Sequence, residues 1–269
     1  MRRTLSTLIP LAAAFALTFS AAGCRSQPSG PERAGPQPPP TGQANRPEPD
    51  RAPPYVAEEV VTRALTSPGR AATGQECRDW IAGLGGSKAA AGRLAEHLRR
   101  GGPSVDERRR IADILERCDR GDAVPGLALL AGDLEMGRLF RSGMLHLLSD
   151  AHGCREAVAP LANALKTDVV PDVRVRAASE LAAMYLDGHV SDSGPIVEAL
   201  IGALADKDEP VRDSAAWSLG CLAERDPGLI PRLEKLKEGS DAQVRAGAAE
   251  ALRNVHAGKV RRPAEGQEK

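Results

Sequence analysis

The sequence predicts an all-α chain, an α-solenoid of stacked helical hairpins, preceded by a signal peptide and a disordered proline-rich linker. Three observations predict it. Beyond Tyr55 the chain is rich in Ala, Leu, Arg and Glu, with apolar residues at helical spacing, and aromatic residues make up only 3% of the whole, which is the composition of helices packed through small aliphatic side chains. A set of landmarks, V-R-x-x-A-A-x-x-L, recurs along the same region at intervals of a few tens of residues, the mark of a repeat array. Before that region lie an apolar leader and a stretch with no apolar residue larger than Ala or Pro.

The leader comes first in the chain. Arg2 and Arg3 form a positive n-region, Leu5 to Ala22 an apolar h-region interrupted by Ser6, Thr7 and Pro10, and Ala21-Ala22-Gly23-Cys24 a small-residue cleavage site. That arrangement suits a signal peptidase and is short and polar-dotted for a stable membrane span. Residues 21–24 resemble the lipobox of bacterial lipoproteins, with Ala21 where Leu is commonest. The resemblance implies that residues 1–23 are removed and that Cys24 is acylated as the new N-terminus, which places the protein outside the cytoplasm. Arg25 is not the aspartate that retains lipoproteins in the inner membrane of some Gram-negative bacteria, so an outer-membrane location is expected in such an organism.

Loss of the leader leaves a nearly neutral protein. The full chain has 36 basic and 36 acidic residues; without Arg2 and Arg3 the count is 34 against 36, a net charge of −2. No strong positive field remains to attract nucleic acid. Four cysteines other than Cys24, namely Cys77, Cys118, Cys154 and Cys221, would enter a compartment where disulfides persist.

Residues 24–54 are expected to be a disordered tether. Ten of the thirty residues from Arg25 to Pro54 are proline, and such a segment cannot bury a core. Fully stretched at about 3 Å per residue it would reach on the order of 90 Å. A passive spacer is the favoured role; the P-x-P-P-P run from Pro36 to Pro40 leaves a proline-recognising partner as the alternative.

Residues 55–87 are expected to form an N-terminal helical cap, with helices over 56–65 and 76–84, and residues 88–258 the repeats. The second helix of each hairpin is read at Glu107-Arg108, Leu139-Phe140, Val173-Arg174, Val211-Arg212 and Val244-Arg245. These starting positions are 32, 34, 38 and 33 residues apart. Positions one, five and nine of the pattern share a helical face, and the alanine pair lets a neighbouring helix come close. Shorter apolar helices precede them, as at Leu161 and Leu165 or at Ile196, Leu200 and Leu204. A single hairpin cannot bury its apolar stripe, whereas stacked hairpins bury one another's. Residues 259–269 read as a disordered tail.

The pattern D-x-x-V-R-x-x-A-A-x-x-L, best kept at Asp208 to Leu219 and Asp241 to Leu252, resembles the second-helix signature of HEAT repeats, in particular the bacterial type also found in phycobilisome lyases. Tetratricopeptide repeats have a similar period, but their landmarks do not occur in order here. The resemblance implies that Asp208, Arg212, Asp241 and Arg245, with Arg174, form a structural ladder between neighbouring repeats.

His146, Asp150, His152 and Cys154 are the one compact group with metal-binding side chains, but they straddle a helix and a loop. Gly83 to Ser87 resembles part of a phosphate-binding loop but lacks a preceding strand and a following lysine. No G-x-S-x-G, H-E-x-x-H or C-x-x-C occurs, so no catalytic, cofactor or metal residue is expected. Cys118 and Cys154 follow the second helices of successive copies and are the expected disulfide. Cys221 reads as a small core residue, and Cys77 is left unpaired.

The expected function is a lipid-anchored protein–protein interaction scaffold at the cell envelope. It would hold a protein partner, touch the membrane through Cys24, bind no nucleic acid and take no small-molecule substrate. The alternatives are a HEAT-like lyase or ligand-handling protein, and a passive envelope spacer.

Overall fold

A computed structural model describes Leu65 and residues 73–256. The expected leader, Cys24, the tether, the 56–64 part of the cap and the 259–269 tail lie outside the described residues. Among those described there are eleven α-helices and no strand. No described helix is long and apolar enough to cross a membrane.

The helices run α1 (Gly74–Gly83), α2 (Ser87–Arg100), α3 (Val105–Leu115), α4 (Arg120–Ala131), α5 (Arg138–Ser149), α6 (Val158–Thr167), α7 (Pro171–Leu186), α8 (Gly194–Ala203), α9 (Glu209–Arg225), α10 (Ile230–Lys237) and α11 (Ala242–His256). Short 3-10 turns at Arg155–Ala157 and Pro227–Leu229 lead into α6 and α10. After α1 the helices pair as five hairpins, α2/α3 to α10/α11, and each copy read from sequence is the second helix of one. Within the hairpins α4 packs on α5, α6 on α7, and α10 on α11; between them α5 packs on α7, α7 on α9, and α9 on α11. This is the nearest-neighbour stacking of an α-solenoid.

Local sequence explains where helices start. Thr73 and Ser104 each close a capping box, their hydroxyls accepting from the backbone N–H of Glu76 and Glu107 while those carboxylates accept from the capping N–H groups. Pro171 and Pro210 sit in the first turns of α7 and α9, where a missing N–H costs nothing. The exit from α7 needs Gly188, at φ 77°; the N–H groups of His189 and Val190 then both return to the Met184 carbonyl, closing the helix end.

The core is continuous through the stack. Val173, Ala177, Ala178 and Leu181 are fully buried, as are Val211, Ala215 and Leu219. In α5 the landmarks fall one residue later than the sequence reading placed them: Leu139 is 81% exposed, while Leu145 and Leu148 are fully buried and Arg141 is buried too. Phe140, Arg141, Met144, Leu145 and Leu148 therefore occupy the five positions. Leu139-Phe140, Met144-Leu145 and Leu147-Leu148 are apolar doublets, which fit the apolar pattern in either register; the arginine decides it.

Candidate functional site

With this register the second helices align column by column, and two features emerge. One is a row of charge pairs between hairpins, buried at Arg141, Asp168 and Arg174; the other is an exposed face with two openings.

In the charged row, an arginine of each of α3, α5 and α7 reaches forward to an acid that lies six residues before the next such arginine. Arg108 donates to Glu135 at 2.6 Å and also pairs with Asp133. Arg141 forks onto Asp168 at 2.8 and 2.9 Å. Arg174 forks onto Asp206 at 2.9 and 2.8 Å and adds Asp208 at 2.5 Å. The Glu135 hydrogen bond and the Asp206 hydrogen bond raise the pKa of Arg108 and Arg174 respectively. Burial acts to raise the Asp206 carboxyl, but hydrogen bonds from Arg174 and from the Asp208 N–H outweigh it and hold the group below the usual aspartate range.

The ladder residues named from sequence take up divided roles. Asp208 meets Arg174, not Arg212. Arg212 and Arg245 donate to backbone carbonyls, Arg212 to Asp206 and Lys207, Arg245 to Gly239 and Ser240. Asp241 accepts from the N–H groups of Gln243 and Val244 and so caps α11. Gly239 stands where Glu135, Asp168 and Asp206 stand in earlier copies, so Arg212 meets no acid there. Arg108, Arg141, Glu135, Asp168 and Asp206 were missed from sequence. The six-residue acid-to-arginine spacing was the signal that could have found them.

All four described cysteines are free thiols. The expected Cys118–Cys154 bond is not formed in this structure: Cys118 is buried as a free thiol, whereas the Cys154 sulfur lies where a side chain on Gly121 would stand, 2.9 Å from that Cβ position. Burial pushes the Cys77, Cys118, Cys154 and Cys221 thiols up. The histidines are likewise dispersed. His146 faces Glu180 through Nδ1 at 3.2 Å, and His152 packs edge-on against His189 with ring centroids 3.9 Å apart. Among the described residues no group of three or more His, Cys, Asp or Glu is placed to hold a metal ion.

The first opening separates α3 from α5, which do not pack on each other as α5 does on α7. It encloses about 640 Å3. Its α5 wall is apolar, Leu139, Phe140, Met144 and Leu147; its α3 wall is charged, with Asp106, Arg109, Asp113 and Glu116. Arg109 pairs with Asp106, and burial raises the Asp113 carboxyl. Arg110, also on this wall, donates to the Leu65 carbonyl, so the cap borders the groove at that point. The second opening, about 940 Å3, lies between α9 and α11.

Comparison with known proteins follows this architecture. The family of HEAT repeats matches residues 158–253. Those limits run from the first residue of α6 into the last helix, three hairpins in all. Over these residues the chain carries HEAT repeats. Two solved structures, each described as the crystal structure of an engineered protein, are similar: one at 21% identity over 75% of this chain and 89% of its own, TM-score 0.37, the other at 19% identity over 75% and 91%, TM-score 0.34. No curated protein matches the chain. The two hairpins before residue 158 depart most from the HEAT pattern in sequence, with Glu107 at the first landmark of α3 and Met144 and Leu145 for the alanine pair of α5. They form helical hairpins nonetheless, joined through α2 and α4 and not through α3 and α5.

Proposed function

We propose that this HEAT-repeat protein is a protein-interaction scaffold, anchored by a lipid on Cys24 to the cell envelope and working outside the cytoplasm. HEAT repeats generally serve protein–protein interaction, which supports the coarser part of this reading; the leader and the Cys24 motif support the finer part. It performs no chemistry of its own in this reading.

The observation that carries the proposal is the α3/α5 groove. Leu139, 81% exposed, stands with Phe140 and Leu147 along one side of a second helix that has no neighbour there among the described residues. An unpaired apolar wall facing a charged one suits an amphipathic segment of a partner, whose burial of the wall would contribute at about 25 cal/mol per Å2. The test is affinity capture from gently solubilised envelope with the full chain, with Cys24→Ser and with Leu139→Glu. A reproducible partner that Leu139→Glu loses, and that co-fractionates with membrane only when Cys24 is intact, is expected. No partner for the wild-type chain, or a purified protein carrying a bound small molecule, would overturn the reading.

A further inference from the structure

The α9/α11 opening differs from the rest of the second-helix face at one side chain. In the shared register Trp217 occupies a position held by Asp113, His146, Ser179 and Glu250 in the other four second helices. Every other copy places a polar side chain there. Trp217 is 44% exposed, although the residues that follow it, Ser218 to Ala223, are all buried.

Trp217 ends a stripe. Glu209, Asp213 and Trp217 recur at four-residue spacing along α9, so they stand one above another on one face. Across the groove lie Ala246, Gly247 and Gln243 of α11, short enough for another chain to come close to the indole.

The charges bordering the groove are unevenly used. Arg212 is held by the carbonyls of Asp206 and Lys207, and Arg253 by Glu250. Glu209 and Asp213 have no partner among the described residues. The uncommitted charge is therefore negative, and it stands beside an open indole. A cation over a tryptophan face gains ~0.5–1 kcal/mol at an exposed site and more when water is excluded, and the Asp213 carboxylate about one turn away, with Glu209 a further turn on, adds Coulomb attraction. A purely apolar occupant would instead desolvate two unpaired carboxylates. An acidic segment would be repelled.

We propose that the α9/α11 groove docks a lysine- or arginine-bearing segment of a protein partner, one cationic side chain lying on Trp217 and its neighbours reaching Asp213 and Glu209. This rests on the scaffold reading and deepens it by naming a surface and the chemistry of its partner.

The experiment uses the full chain with Trp80→Phe, so that Trp217 is its one tryptophan. Indole fluorescence is titrated with a synthetic peptide of alternating glycine and Lys-Arg pairs and with its glutamate counterpart, at two salt concentrations. A saturable change with the basic peptide is expected, at least tenfold weaker in Glu209→Gln/Asp213→Asn and absent with the acidic peptide. Calorimetry with Trp217→Ala should show the same loss, with an unchanged helical circular-dichroism spectrum. Equal response to both peptides, no saturation, or full affinity in the double variant would overturn the proposal. Binding seen only after residues 259–269 are removed would overturn it too, by making the occupant the chain's own Lys259, Arg261 and Arg262. Envelope capture separates this from the scaffold reading: a partner retained by Trp217→Ala and lost with Leu139→Glu sinks this groove alone, whereas no partner for the wild-type chain sinks the scaffold.

Discussion

Arg141 and Asp168 face each other through two parallel hydrogen bonds, Nε to Oδ2 at 2.8 Å and Nη2 to Oδ1 at 2.9 Å, with 3% and 4% of their side chains exposed. The fork joins α5 to the loop that starts α7, and Asp168 also accepts the Val170 N–H. Neither charge has water to fall back on.

Removing one partner of a buried pair strands the other, so Arg141→Ala is expected to cost about 3–5 kcal/mol. Arg138 and Asp172 bridge the same two hairpins at the surface, both more than half exposed, and Arg138→Ala should cost under ~1 kcal/mol. Urea unfolding of the two variants reads the difference. Equal losses would show that the buried fork is not what holds this interface.

The acid limb of the stability curve follows from two carboxylates. Asp206 is held low against its own burial by Arg174, and Glu107 by the backbone and hydroxyl of Ser104. A carboxyl that is a stronger acid folded than unfolded adds stability above its unfolded pKa, about 4. That contribution disappears as pH falls through the lower folded value. Stability should therefore drop steeply below about pH 4, and Asp206→Asn should flatten that limb while lowering the plateau near neutrality. Thermal melts from pH 7 to pH 2 measure both.

Gly220 lets α9 and α11 approach. A Cβ there would stand 3.0 Å from the Cβ of Asn254 and 3.1 Å from the Ala251 carbonyl, so Gly220→Ala should destabilise by about 1–3 kcal/mol through overpacking. Gly92, exposed in the middle of α2 with no atom near its Cβ position, is the control. Its replacement by Ala should stabilise by up to ~1 kcal/mol.

Thiol reactivity should follow exposure. Cys77, Cys118 and Cys221 are buried and Cys154 is only half so, and all four are held in the protonated form by burial. An aromatic disulfide reagent should modify Cys154 first in the native reduced protein, the other three only on unfolding. Non-reducing peptide mapping of the air-oxidised protein decides the Cys118–Cys154 expectation directly: a peptide linking the two would mean that the free thiols of this structure come together on oxidation.

The hairpin array was legible because its strongest signal is local. Val-Arg at the start and the alanine pair near the middle of α7, α9 and α11 are short patterns that one helix displays by itself. The register of α5 was not, since apolar doublets satisfy the helical period in two ways and only the burial of Arg141 separates them. The ladder was half legible for a related reason. Aspartates four residues before an arginine invite a pairing within one helix start, yet Asp208 joins the arginine of the previous copy, a contact 34 residues away in sequence. The grooves left no sequence signal, because one depends on how far apart α3 and α5 come to rest and the other on which side of the α9/α11 contact stays open. Trp217 could have been noticed as the one aromatic residue in an otherwise polar column, once that column was aligned.

Gly239 carries a further consequence. At the three earlier interfaces a second-helix arginine reaches an acid of the following copy, but at the junction with α10 and α11 Arg212 finds only carbonyls. Repeat arrays open in units, from the least secured end. Amide protons of α11 should therefore exchange with solvent before those of α7 and α9, through local opening of the last hairpin. Whatever settles between α9 and α11 would close that opening, so occupancy of the groove should register as slowed exchange in a helix whose own anchoring lacks one ionic contact.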